Sequence, residues 1–168
     1  MSVVDTIVST LQAEFHGTLD VEHMTRATVR MAVALLLGAV IGWDRERRDA
    51  EAGLRTHMLV ALGSALFVLV PAEMGLGEEA RSRVIAGLVS GIGFLGAGAV
   101  LKRSSEGHIH GLTTAASIWA TAAVGMAAGL GREGTALLAT GFIMVVLAWL
   151  RRLNVRKENK TSEHKASK

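Results

Sequence analysis

The residues best equipped for chemistry in this sequence are acids and arginines that interrupt long apolar runs. Asp44, Arg45 and Glu46 close one run, and Arg55, Thr56 and His57 open the next. Thr113, Thr114 and Ser117 open a later one, after the run that ends near Gly98. If successive runs alternate in direction, these dispersed residues meet at one rim. Carboxylates, hydroxyls and guanidinium groups gathered there can make a fixed ion network or a site for a solute. The plainer reading is a set of interfacial anchors and helix caps, with Thr113 as a candidate cap and Arg47 and Arg48 as anchors. The candidate functional rim is therefore Asp44, Arg45, Glu46, Arg55, Thr56, Thr113 and Thr114. At the opposite rim Arg30 and Glu73 each fall about one turn inside the boundary, where a lone charge is costly. Either they form an ion pair, or each reaches separately to the interface.

Other constellations fall short. His108 and His110 supply two ligands without a third to complete a metal set. Asp44, Glu46, Asp49 and Glu51 are hard oxygen donors, but the arginines among them oppose a Mg²⁺ ion. No nucleophile–base set or hydrolytic carboxylate pair can be assembled, so no enzymatic activity, metal or cofactor is expected. The absence of cysteine excludes disulfides, thiolate metal sites and cysteine nucleophiles. Gly91-Ile92-Gly93-Phe94-Leu95-Gly96 matches the dinucleotide pattern in letters only. It lies inside an apolar run, and Gly111 stands where the ribose-binding acid belongs.

The elements that must position the rim are apolar and long. The 168 residues make one domain, half of them hydrophobic and a fifth charged. The apolar runs cover about residues 27–43, 57–76, 84–101, 112–130 and 134–150, each near the length that crosses a hydrocarbon core of about 30 Å. A water-soluble helix of that length carries a polar stripe. The third run has only Ser90 as a polar side chain, and the fifth only Thr135 and Thr140. The expected fold is all-α, an integral membrane bundle of five transmembrane helices over residues 27–150.

Orientation follows from lysine and arginine. Thirteen of the 18 fall in the 44–56 and 102–111 loops and the tail, against five on the other side: Arg26, Arg30, Arg81, Arg83 and Arg132. This places the N-terminus outside and the C-terminus in the cytoplasm. The basic pI near 9.8 then reflects lipid-facing charge rather than a nucleic-acid partner. In residues 1–26, Val4, Ile7, Val8, Leu11 and Phe15 recur at helical spacing, as in an amphipathic interfacial helix or a simple extension of the bundle. No cleavable signal peptide is expected, since the first charges are Asp5 and Glu14. Residues 151–168 form a basic tail with too little apolar surface to fold alone.

Glycines supply the packing signal. Gly38/Gly42, Gly87/Gly91 and Gly125/Gly129 each set two glycines four apart, which lets helix backbones approach closely in lipid. Gly93, Gly96 and Gly98 strip the third run further. That helix should be buried at the bundle centre or locally broken, the second being how many transporters bind ions.

Four segments together resemble the MgtC/SapB family of bacterial inner-membrane proteins: Gly38 to Glu46, Ala52 to His57, Ser90 to Gly98, and Gly111 to Trp119. The likeness covers about residues 27–150 and implies a five-helix membrane domain in the inner membrane. It further implies a role in adaptation to magnesium limitation and, in pathogenic relatives, survival inside macrophages. Virulence-associated members are reported to act on the F-type ATP synthase rather than pump magnesium. They carry a C-terminal ACT-like domain, whereas the short tail here implies the SapB-like branch. Asp44, Arg45, Glu46, Arg55 and Thr56 coincide with family motifs. Two functions are expected to compete: a regulator that binds another membrane complex or a second copy, and a small ion or solute transporter with the third helix lining the path.

Overall fold

A computed structural model describes residues 2–16, 20–101 and 111–148. Lys102, Arg103, His108, His110 and the 151–168 tail, for which the sequence sets expectations, lie outside the described residues. All regular structure among the described residues is helical: α1 Val3–His16, α2 Val21–Glu46, α3 Leu54–Glu73, α4 Glu78–Leu101, α5 Leu112–Gly129 and α6 Glu133–Ala148. Four of these, α2 to α5, are long and apolar enough to cross a membrane. Helix α6 is shorter over its described residues, and residues 149–150 of the fifth expected run lie beyond them.

Helix boundaries follow local chemistry more than hydropathy. Helix α2 starts ahead of the apolar run because the Asp20 carboxylate accepts from the Glu22 and His23 amides, at 3.0 and 3.4 Å. Helix α4 likewise begins at Glu78 and Glu79, acids that suit a helix N-terminus. Helix α1 forms, and Val4, Ile7, Val8 and Leu11 are all exposed on it.

Helices α3 and α5 are the centre of the bundle, and glycines decide how closely their neighbours come. A Cβ on Gly125 would stand 2.8 Å from the Ala61 Cα, and one on Gly129 would stand 2.7 Å from the Ala65 Cα. From the other side, a Cβ on Gly38 would meet the Ala61 Cβ at 2.8 Å, and one on Gly42 the Leu54 Cα at 2.8 Å. Ala61 is thus gripped between α2 and α5. Helix α6 closes this half through Ala136, which joins Ala34, Leu37, Ile41, Ala65, Val124 and Ala128 in one core. A second core joins α3, α4 and α5 through Val60, Ile92, Ile118 and Ala122, with Ala52 of the α2–α3 loop beneath them.

Helix α4 departs from expectation. It is one unbroken helix, and it packs mainly against α5 at the edge of the bundle rather than at its centre. Among the described residues, Gly87, Gly91, Gly93 and Gly98 have open space where a side chain would go, and only Gly96 faces a neighbour, Ala115. The reason is that Ile92, with Leu88 and Ala99 beside it, carries the contact instead. A glycine run shows that close approach is allowed, not on which side it happens.

Candidate functional site

The α2–α3 corner builds the rim. Asp44 and Arg48 lie one turn apart and form a two-bonded ion pair, one bond being Nε to Oδ2 at 2.8 Å. Arg47 lies over the Trp43 ring, 5.2 Å from its centroid. Glu46 reaches forward, and its Oε2 accepts from the Leu54 amide at 2.7 Å. It thereby caps α3, whose own N-cap, Gly53, has no side chain to offer. A Cβ on Gly53 would overlap the Glu46 carboxylate and push it off the Leu54 amide. The chain turns through Asp49 at φ 49°, a left-handed conformation that Asp tolerates better than most residues.

Arg45 points the other way. It is 9% exposed, and its Nη2 donates to the Thr114 hydroxyl at 3.3 Å. Among the described residues its Nε is buried with no partner. One turn into α3, His57 is fully buried. Its Nδ1 lies 2.9 Å from the Gly53 carbonyl, which can only accept, so Nδ1 carries a proton. Its Nε2 lies 3.1 Å from Ser117 Oγ, and that hydroxyl also donates to the Thr114 carbonyl at 2.8 Å. One hydroxyl proton therefore has two claimants. Thr121 continues the polar face of α5 by donating to the Ser117 carbonyl at 2.8 Å, and Ser64 lies buried on α3 without a partner among the described residues. These residues form a polar seam between α3 and α5, packed tightly rather than open.

The sequence-predicted rim therefore splits. Arg45 and Thr114 meet in the interior; Asp44 and Glu46 serve the corner itself. Arg55, Thr56 and Thr113 are exposed and join none of them. Thr113 is not the cap of α5: Gly111 at φ 85° takes that place, with no side-chain bond to the helix amides. Sequence reasoning missed Ser64 and Thr121, and it placed His57 and Ser117 at the rim without counting them among the candidate residues. Their signal was spacing, since Thr114, Ser117 and Thr121 share one helical face and His57 and Ser64 sit two turns apart.

At the other end, Arg30 does not pair with Glu73. Its Nη1 donates to the Gly129 carbonyl at 3.3 Å, at the negative end of α5. The guanidinium lies flat on Gly131, where a Cβ would come 2.9 Å from Cζ and where φ is 72°. A helix terminus thus supplies the negative charge that the sequence assigned to a carboxylate. Arg26 and Arg30 line an open cleft of about 690 Å³ with Glu22 and Glu133. Among the described residues, no group of three or more His, Cys, Asp or Glu is placed to hold a metal ion.

The profile of the MgtC family matches residues 31–156. Protein SrpB of Synechococcus elongatus is 44% identical over 135 residues, which cover 74% of each chain. Protein MgtC of Brucella abortus is 47% identical over 123 residues, 73% of this chain and 50% of its own. Protein MgtC of Salmonella typhimurium is 42% identical over 123 residues, 73% of this chain and 52% of its own. The chain thus spans about half the length of these two MgtC relatives. No solved structure matches it. The chain belongs to the MgtC family, and its apolar helices make it a multi-pass membrane protein.

Proposed function

We propose that this MgtC-family chain is a non-enzymatic membrane regulator that acts by binding a second membrane protein through the outer face of α4. The observation that carries this is the stripe formed by Gly87, Ser90, Gly91, Phe94, Ala97 and Gly98, all exposed along one side of the helix. Glycine in a helix interior costs about 0.5–1 kcal/mol relative to alanine. Gly38, Gly42, Gly125 and Gly129 offset that cost by bringing backbones into contact. At Gly87, Gly91 and Gly98 nothing among the described residues does so, and a partner helix would.

In this reading α6 makes a fifth span, with the N-terminus outside and the C-terminus in the cytoplasm of the bacterial inner membrane. The family resemblance supports adaptation to magnesium limitation as the setting. It also supports the F-type ATP synthase as one candidate partner, with a second copy of this chain as another. The test is recovery of a complex from membranes in mild detergent, with wild type compared with Gly91→Leu. Loss of the complex by a variant that remains folded supports the reading.

The polar seam favours a second reading, a small ion or solute transporter. Its path would run along Arg45, Thr114, Ser117, His57, Thr121 and Ser64 rather than along α4. Flux by the purified protein in proteoliposomes, abolished by Ser117→Ala, would replace the first reading with this one.

A further inference from the structure

The rim opposite the α2–α3 corner holds two opposite charges that face one cleft and do not meet. Arg30 and Glu133 are both half-buried, and both line the cleft of about 690 Å³ between α2 and the α5–α6 turn. The ion pair in this cleft is Arg26 with Glu22, one turn apart on α2. Among the described residues Arg30 and Glu133 form none. A separate helix end fixes each. Arg30 donates from Nη1 to the Gly129 carbonyl at the negative end of α5. Glu133 is the first residue of α6, where the helix dipole favours an acid. Gly131 turns the chain between them at φ 72° and puts no side chain into the cleft.

Both groups keep bonding capacity toward the cleft. A guanidinium has five N–H donors, and the bond to Gly129 leaves the others of Arg30 unused among the described residues. The Glu133 carboxylate accepts no hydrogen bond among them either. The wall that α2 presents is itself amphiphilic. Glu22, Arg26 and Arg30 follow one another at four-residue spacing, and Val21, Thr25 and Val29 make a parallel row beside them. Val21 and Val29 are 76% and 50% exposed. Helix α2 is long and apolar enough to cross a membrane, and this is its first part, so the cleft opens at a membrane boundary. Separated charges are costly at that depth unless something joins them. A ligand matched to the cleft carries a negative group for Arg30, a positive group for Glu133 and an apolar chain for the valine row.

We propose that this cleft binds the headgroup of a phosphatidylethanolamine-type lipid, with the phosphate on Arg30 and the ammonium on Glu133. A purely anionic lipid would leave the carboxylate beside a second negative charge. A choline headgroup has no N–H to donate to it. The bound headgroup ties α2 to the start of α6. This goes beyond the partner-binding role of α4, which uses a different helix and a different face.

The full chain, purified and delipidated in a maltoside detergent, is titrated with short-chain phosphatidylethanolamine, phosphatidylcholine and phosphatidylglycerol in turn. Calorimetric titration and native mass spectrometry are the readouts. The wild type should bind the ethanolamine lipid about tenfold more tightly than either of the others, as one added charge-assisted hydrogen bond would give. Glu133→Gln should abolish that preference, and Arg30→Gln should weaken binding of all three lipids. Glu79→Gln, which changes an exposed acid at the start of α4, should keep the wild-type preference. Equal binding of the three lipids by the wild type, or a preference that survives in Glu133→Gln, would overturn the proposal. Glycerophosphoethanolamine that bound as tightly as the lipid would also overturn it, by making the site one for a soluble zwitterion. The wild-type series decides the matter even if a variant at Arg30 fails to fold.

Discussion

Gly125 and Ala61 touch backbone to backbone: a Cβ on the glycine would lie 2.8 Å from both the Cα and the carbonyl carbon of the alanine. Neither atom can move without shifting α3 as a whole. Gly125→Ala should therefore destabilise the protein by at least the about 1–3 kcal/mol typical of overpacking. Thermal unfolding in detergent measures it. Gly87→Ala, at a site with open space, should be neutral or stabilising by up to about 1 kcal/mol in the isolated chain.

That contrast marks the limit of what sequence conveys here. Gly38/Gly42, Gly87/Gly91 and Gly125/Gly129 are equivalent as patterns, yet two pairs pack inside the chain and one faces out. The pattern states that a backbone can be approached and leaves open by whom. Hydropathy located the long helices because lipid imposes their length, but caps such as Asp20 set their ends. The rim was legible as a region, while its wiring was not. Whether Arg45 points inward and Arg55 outward depends on helix rotation, which only the packed neighbours fix.

The Glu46 carboxylate caps α3 from the preceding helix. Glu46→Ala should cost about 1 kcal/mol, the usual worth of an N-cap. Glu46→Gln, which keeps an acceptor oxygen, should cost less. Gly53→Ala should match the loss in Glu46→Ala by forcing the carboxylate off the Leu54 amide. Melting temperatures of the three variants, read beside the wild type, check the ranking.

Ser117→Ala leaves buried His57 with an unpaired Nε2. The expected loss is about 1–3 kcal/mol, the cost of stranding a buried polar atom. The same change removes a hydroxyl that Thr114 can spare, since its carbonyl is also a helix acceptor. Chemical denaturation of the reconstituted protein measures the difference. An effect near zero would mean that the ring has another partner.

Arg30 caps α5 and does not pair with Glu73. Arg30→Met should destabilise by about 1 kcal/mol, and Glu73→Gln by much less. In a double-mutant cycle the two changes should add, with a coupling energy near zero. Coupling of about 1 kcal/mol or more would restore the ion pair.

The central claim concerns the outer face of α4, and one measurement reaches it most directly. The double variant Gly87→Leu/Gly91→Leu fills the stripe at two positions where an added Cβ meets no described atom within 4 Å. Complexes are recovered from membranes by affinity purification in mild detergent, and the apparent mass of the wild-type assembly is compared with that of the variant. The predicted result is a variant with wild-type helicity and melting behaviour, alone in its micelle, where the wild type carries a partner or a second copy. A variant that stays in the same complex as the wild type, or a wild type that has none to lose, would contradict it.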